Sequence, residues 1–427
     1  MAAIERKSLI PVKETIIVPY NNGAVYSTGN TITILFGAGD AHNCLIQDSF
    51  FQFDYKIKLT NTGNTKYSIR DLNQIFDWVE IIYQGKQVYI QNFNQQAKFI
   101  DWVRQGGNYL DTQIYSGITS RNSEYSRIVL NSSSSGVSNN ITGCIIRLAS
   151  LFDIFEKITE LPVCLLDNQI QINLHLADPY TYLVAPLTKG NLPAKVFEVI
   201  NKTVTTASDF SIDRFEFHLK DKVEISPEMS REKTYKFDYT MNQIALRGVR
   251  GGDFPAGSTL NLPFNIVTEN VSTMGIYFYK DNVPSITYRP ELINVNFKYG
   301  NNTSPFSPIN VDNFTNPGIY KQFCDDSFDI STSYFGTTNF DYDMSYPPLA
   351  KGLTSMSDVK QDTHIVLVTD FIPSGDLLGS ASKYWNSQYI FQASASAQAI
   401  QDSTACMWVE SKYMAFIRDG KLDSVNI

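Results

Sequence analysis

The sequence predicts an all-β protein built from two similar β-domains in tandem, each of about eight strands. Three observations carry that expectation. Short alternating apolar and polar runs recur, bounded by Gly, Asn, Ser and Pro, at spacings that suit sandwiches and barrels rather than βα units. Aromatic residues reach 13% and hydrophobic residues 43%, whereas charged residues are only 18%, below the roughly 25% of an average domain. The remainder is crowded with Asn, Ser, Thr and Gln, which is the profile of a strand-rich chain with a neutral polar skin. Finally, the strand-turn pattern Val79-x-Ile81-x-Tyr83-x-Gly85 returns in the second half as Ile293-x-Val295-x-Phe297-x-x-Gly300.

Taken in chain order, residues 1–18 mix charge, Pro11 (with Pro19 just beyond) and little periodicity, so they read as an extended arm that orders against a neighbour. Residues 31–36 alternate. In 51–59, Phe51, Phe53, Tyr55, Ile57 and Leu59 share one face, and Gln52, Asp54, Lys56 and Lys58 the other, which describes a half-buried antiparallel strand. Residues 79–88 read as a hairpin turning at Gln84-Gly85-Lys86, where glycine supplies positive φ. Residues 93–103 have helical spacing, with Phe93, Ala97, Ile100 and Arg104 in line. The stretch 131–140, Asn-Ser-Ser-Ser-Ser-Gly-Val-Ser-Asn-Asn, is too poor in apolar residues to pack and reads as an exposed loop. Ser150 is placed to cap a short helix presenting Leu151, Ile154, Phe155 and Ile158, with Pro162 beyond its end. Residues 169–176 then alternate, directing Ile170, Ile172, Leu174 and Leu176 to a core.

Between 186 and 209 the pattern loosens, with Pro186, Gly190 and Pro193 early and a Thr- and Ser-rich end, so the domain boundary is expected here. The second half repeats the style of the first. Phe215, Phe217 and Leu219 alternate, as do Ile276 and Phe278, with a turn at Asp281-Asn282; residues 293–299 form a further period-2 run. Residues 365–371 are nearly continuous in apolar side chains, suited to a strand buried on both faces, and 405–417 close the half with a long alternating strand. Two polar connections, 303–327 and 331–357, are too long for hairpin turns and read as elaborated loops.

Chemistry is hard to locate. His42, His175, His218 and His364 are scattered, no two at metal-ligand spacing, and His175 and His218 read as polar-face strand residues. The carboxylates Asp325, Asp326, Asp341 and Asp343 are the first suspects for calcium binding or acid-base work, but Asp also serves loop backbone in just such positions. Arg247-Gly-Val-Arg-Gly-Gly-Asp253 lacks the Gly-Lys-Ser/Thr ending of a phosphate cradle and reads as a glycine-rich turn. Asn140-Ile-Thr142 and Asn313-Phe-Thr315 fit the glycosylation pattern, yet the start of the chain has no apolar secretory region. No run approaches 18 consecutive apolar residues. The five cysteines, Cys44, Cys144, Cys164, Cys324 and Cys406, include no C-x-x-C pair and read as reduced residues, mostly in the core. Lys and Arg total 35 against 43 Asp and Glu, a balance that argues against holding a phosphate backbone. No catalytic, cofactor-binding or metal-ligating residue is assigned, and the chain is expected not to be an enzyme.

The order of the segments resembles a known family. Trp78-Val-Glu-Ile-Ile-Tyr-Gln-Gly-Lys-Gln-Val88 lies in the first domain. Leu151-Phe-Asp-Ile-Phe-Glu-Lys-Ile-Thr-Glu-Leu-Pro162 comes shortly before Gln169-Ile-Gln-Ile-Asn-Leu-His-Leu176, and Tyr288-Arg-Pro-Glu-Leu-Ile-Asn-Val-Asn-Phe297 lies in the second domain. Together they resemble the double jelly-roll major capsid proteins of the adenovirus and tailless-phage lineage, especially the virophage and Polinton-like branch. The resemblance implies an arm at 1–18, a first jelly roll at 19–195, a linker at 196–209 and a second jelly roll at 210–427. It implies a homotrimeric, pseudo-hexagonal capsomer of an icosahedral virion, made in the host cytoplasm. Its partners would be neighbouring capsomers, penton and minor capsid proteins and, where the virus has one, an internal membrane, with no sequence-specific nucleic acid and no cofactor. Two other readings use the same strands: a single-jelly-roll vertex or spike protein with an appended β-domain, and a carbohydrate-active β-protein.

Overall fold

The computed structural model describes residues 12–21, 23, 25–37, 43–63, 65–69, 72–92, 129–156, 158–189, 192–199, 202–222, 234–266, 271–279, 287–288, 292–299, 302–309, 366–370, 388–395 and 399–426. The expected helix at 93–103, the carboxylates Asp325, Asp326, Asp341 and Asp343, and most of both long connections lie outside these residues. The strands of the first half are β1 (Val12–Ile17), β2 (Val25–Tyr26), β3 (Thr31–Phe36), β4 (Asn43–Leu45), β5 (Phe50–Asn61), β6 (Lys66–Ile69), β7 (Phe76–Tyr83), β8 (Lys86–Asn92), β9 (Val129–Asn131), β10 (Val137–Arg147), β11 (Glu160–Leu161), β12 (Ile170–Leu176), β13 (Leu183–Lys189), β14 (Leu192–Val199) and β15 (Thr205–Lys222). Those of the second are β16 (Tyr235–Val249), β17 (Thr259–Asn265), β18 (Val271–Tyr279), β19 (Thr287–Tyr288), β20 (Leu292–Tyr299), β21 (Asn302–Ile309), β22 (Val366–Asp370), β23 (Gln388–Ala395), β24 (Ser403–Arg418) and β25 (Lys421–Asn426).

Strand pairing defines the architecture. Eight strands of the first half, taken in chain order as β1/β2, β3, β5, β7, β8, β10, β12 and β15, form two sheets. One joins first, eighth, third and sixth (β1/β2-β15-β5-β10), and the other joins second, seventh, fourth and fifth (β3-β12-β7-β8). This is the strand order of a jelly roll. The second half repeats it with β16-β24-β18-β22 and β17-β23-β20-β21. Every pair is antiparallel, so each sheet can present one face to a core and the other outward. A further small sheet, β14-β13-β6-β9, gathers connections of the first jelly roll.

The clean period-2 runs fold as their patterns dictate. On β5, Phe51, Phe53, Tyr55, Ile57 and Leu59 are buried, and on β12 so are Ile170, Ile172, Leu174 and Leu176. The β7-β8 hairpin turns at Gln84 (φ 51°) and Gly85 (φ 75°), the two positive-φ positions of a type I′ turn, whose twist matches its flanking strands. Phe36, Phe51, Phe53, Phe215 and Phe217 interlock with ring centroids 4.9 to 5.6 Å apart.

Four expectations are corrected. Residues 12–17 are not an arm held only by a neighbour: β1 pairs along its whole length with β15 of the same chain. Residues 196–209 are not simply a linker, because they contain the end of β14 and the start of β15. The period-2 signal fails in this region for a physical reason. β15 carries bulges where Asp209 (φ 53°) and Arg214 (φ 49°) sit, and each inserts a residue that reverses which face follows, so Ile212 and Phe215 are both buried. The same device appears in β20, where Asn294 (φ 54°) sits at a register shift between Ile293 and Asn296, and Leu292 and Phe297, five positions apart, are both buried.

Half of the polar stretch 131–140 is strand, the last residue of β9 and the first four of β10, with a turn over 132–136 between them. Asn139 is 9% exposed because its side-chain amide accepts from the Asn131 N–H (2.8 Å) and donates to the Asn131 carbonyl (3.0 Å), replacing a backbone partner. Ser150 does not cap a helix: two single turns form, α1 (Leu148–Leu151) and α2 (Asp153–Glu156), broken by extended Phe152, and Ser150 Oγ donates back to the Arg147 carbonyl (2.9 Å). The break turns Phe152 inward beside Tyr89.

The two halves are joined by packing as well as by chain. The ends of β16 and β24 and the start of β25 carry Phe237, Tyr239, Ala415, Ile417 and Leu422 into the core of the first jelly roll. The β24-β25 hairpin clamps the β7-β8 hairpin: Tyr83 Oη and the Asp167 N–H both donate to the Gly420 carbonyl, Ser424 Oγ donates to the Val88 carbonyl (2.6 Å), and Lys86 pairs with Asp423 (2.6 Å).

Candidate functional site

The outward face of β3-β12-β7-β8 in the first jelly roll carries a hydrogen-bonded polar network. Glu80, 8% exposed, accepts from Asn173 Nδ2 and from Gln87 Nε2, each at 2.7 Å, so both carboxylate oxygens are engaged by amides. Asn173 Oδ1 accepts from Thr33 Oγ1 and Gln171 Nε2, each at 3.0 Å. His175 stacks on Trp78, and its Nδ1 meets Thr31 Oγ1 at 2.7 Å. Burial pulls the His175 pKa down against the opposing pull of Glu80, which favours a neutral ring at neutral pH. With each carboxylate oxygen held by an amide of a neighbouring or cross-strand residue, Glu80 is tied into the sheet face, so the network reads as a structural ladder.

A second charged group lies on the outward face of β1-β15-β5. Glu14 is held by Lys220 and by His218 Nδ1 (2.7 Å), and His218 stacks on Phe50 with centroids 4.6 Å apart and has Glu216 at 3.4 Å. The Lys220 ammonium, then His218, holds the Glu14 carboxyl below the usual glutamate range. A third sits at the bulges, where Asp54 accepts from the Gly143 N–H (3.0 Å) and has Arg214 at 3.6 Å, while Lys56 pairs with Asp213. These groups left no local signal in the sequence, since Glu14 and His218 are separated by 204 positions and meet through β-pairing.

Nucleophilic chemistry finds no foothold among the described cysteines. Cys44, Cys144, Cys164 and Cys406 form no disulfide, and burial pushes Cys44 and Cys144 up to about 12, leaving them protonated. Arg247 to Asp253 forms the end of β16 and a tight turn, with the Gly251 N–H donating to Asp402 (2.7 Å) and Arg247 to the Pro263 carbonyl (2.8 Å), rather than an open cradle. Among the described residues no group of three or more His, Cys, Asp or Glu is placed to hold a metal ion, and no helix is long and apolar enough to cross a membrane.

What the surface does offer is apolar side chains. Val12, Ile16, Val18, Tyr20 and Val25 are 55 to 75% exposed, and they cluster on one edge strand and its continuation.

No family model matches the chain, and no curated protein matches it by sequence. Solved structures match its shape over nearly its whole length. The mavirus major capsid protein aligns with 97% of this chain and 90% of its own, at TM-score 0.59 and 10% identity. A Sputnik virophage structure aligns with 97% and 88%, at TM-score 0.55 and 10% identity. VP54 of PBCV-1, fitted into a reconstruction of Sputnik, aligns with 100% and 99%, at TM-score 0.53 and 9% identity. At such identities the likeness is one of fold, and it agrees with the pairings above: the chain is a double jelly roll of the kind found in viral major capsid proteins.

Proposed function

We propose that the chain is a structural major capsid protein and that three copies form a pseudo-hexagonal capsomer of an icosahedral virion. The observation that carries this reading is the repetition of the complete jelly-roll pairing in both halves, joined by a shared core. Two equivalent wedges in one chain let three chains close a six-sided ring, a closed symmetry that avoids open-ended growth. We place the division between the wedges after residue 222, with the first running from 12 to 222 and the second from 235 to 426. Repetition of the pairing also disfavours a vertex or spike protein with a single jelly roll.

Neighbouring capsomers, penton and minor capsid proteins, and an internal membrane where present, would be the partners, and the virion the location after synthesis in the host cytoplasm. A non-catalytic role is supported, among the described residues, by carboxylates and histidines that are engaged with one another. The test is the mass and outline of the purified protein. Light scattering is expected to give about three times 48.2 kDa, with a hexagonal outline showing threefold detail in negative stain. A stable monomer at micromolar concentration overturns the reading, and sugar hydrolysis or specific glycan binding would move it to the carbohydrate-active alternative.

A further inference from the structure

The first strand of the first jelly roll is built the wrong way round for a strand serving only its own domain. None of the side chains of β1 is fully buried, while Val12 (56%) and Ile16 (55%) lie open on its outward side. The sequence alternation continues to Val18 (60%) and Tyr20 (75%), and Val25 (57%) follows in β2. Among the described residues β1 pairs only with β15, so its other edge presents unmatched backbone N–H and C=O groups. Exposed alternating apolar side chains on an open edge are costly in water and mark a docking surface.

Size and charge restrict the occupant. Residues 12 to 20, at about 3.3 Å each, give a strip roughly 30 Å long, its outward side carrying Val12, Ile16, Val18 and Tyr20 with Glu14 between the first two, and with the charged outward side of β15 the face is about 10 Å wide. Its projected area is on the order of 300 Å², part of the roughly 800 Å² that each partner gives to a stable interface, so the strip would be one patch of a larger contact. Charges beside it alternate in sign: Lys13, Glu14, Glu216 and Lys220, the last three tied into one cluster with His218. A polyanion or an anionic lipid surface would call for a single positive sign, whereas an apolar centre with a mixed charged rim is the make-up of a protein–protein contact.

We propose that this strip is covered by a second copy of the chain, so that the apolar edge of the first jelly roll is a subunit contact of the assembly. The inference rests on the capsomer reading for the identity of the partner, and on the strip itself for the place. Since β1 buries no side chain completely, charges can be introduced on its outward side without emptying the core.

The experiment compares the full chain with Val12→Asp/Ile16→Asp and, leaving the β1 pairing untouched, with Val18→Asp/Tyr20→Ser. Circular dichroism verifies folding, light scattering reads self-association, and electron microscopy reads shells. Both variants are expected to stay folded and to weaken self-association or shell formation by about tenfold or more. Folded variants that associate and assemble like the parent overturn the proposal while leaving the capsomer reading intact. A parent that never self-associates overturns the capsomer reading itself, and the proposal with it. Sedimentation with vesicles of neutral or anionic phospholipid that is lost in the variants, at unchanged self-association, overturns it in favour of a membrane occupant.

Discussion

The eighth strands of the two jelly rolls occupy the same place in the same topology, yet β15 and β24 are buried differently. In β15, Phe215, Phe217 and Leu219 face the core, and Glu216 and Lys220 face outward with His218 between them. In β24, Ala405, Cys406, Met407, Trp408 and Val409 are all 0% exposed, so the strand is covered on both faces. Trp408 lies directly opposite Gly275 of β18, and its indole occupies the space a side chain there would need. The first domain spreads its packing over interlocked phenylalanines, whereas this part of the second concentrates it on one large ring over one glycine. The difference teaches that pairing order is set by where apolar residues alternate and turns fall, while the packing of each sheet is solved locally.

If that contrast is right, Trp408→Ala should be the most damaging single change, costing about 3–5 kcal/mol in denaturant unfolding because no neighbour can refill the space. A loss below about 1 kcal/mol would show that the packing is not concentrated there. Leu174→Ala, in the first core, should cost roughly 2–5 kcal/mol, varying with how far neighbouring side chains relax.

Gly275→Ala sharpens the same point from the other side. Its new methyl group would collide with the indole and cost about 1–3 kcal/mol, and a Gly275→Ala/Trp408→Ala pair should be less unstable than the sum of the two. Simple additivity would separate the two residues energetically.

On the polar face of the first domain, Asn173→Ala leaves Glu80 short of one donor and is expected to cost about 1–3 kcal/mol, whereas exchange of an exposed partner such as Gln87 should matter less. The smallest effect belongs to Glu14, which is partly exposed. Because its folded pKa lies below the ordinary value, the stability it lends is present at neutral pH and is lost as the pH falls through that lowered pKa. Glu14→Gln should therefore flatten the acid limb of the melting-temperature profile slightly, most visibly at low salt. An unchanged profile would mean that the cluster does not hold β1.

Legibility followed the period. β3, β5, β7-β8 and β12 could be read from the chain because alternation, turn glycine and strand length agreed, whereas β24 was legible as a strand but not in its facing, since Ala405 to Val409 are all buried. β15, β20 and the 131–140 segment resisted for identifiable reasons: positive-φ bulges at Asp209, Arg214 and Asn294 reverse the facing pattern, and the Asn139 amide takes the place of a backbone partner. The split of α1 from α2 was equally hidden, since burying Phe152 beside Tyr89 outweighs one more turn of helix.

By itself, the sequence determined that the chain is all-β, that it has two similar halves and which faces of the regular strands turn inward, because these follow from side-chain period and local turn chemistry. Tertiary structure alone decided how the β24-β25 hairpin clamps β7-β8, and that Glu14, His218 and Lys220 meet. Each of these depends on which distant strands pair and in what register, a choice made by the collective burial of whole faces and invisible in any local window.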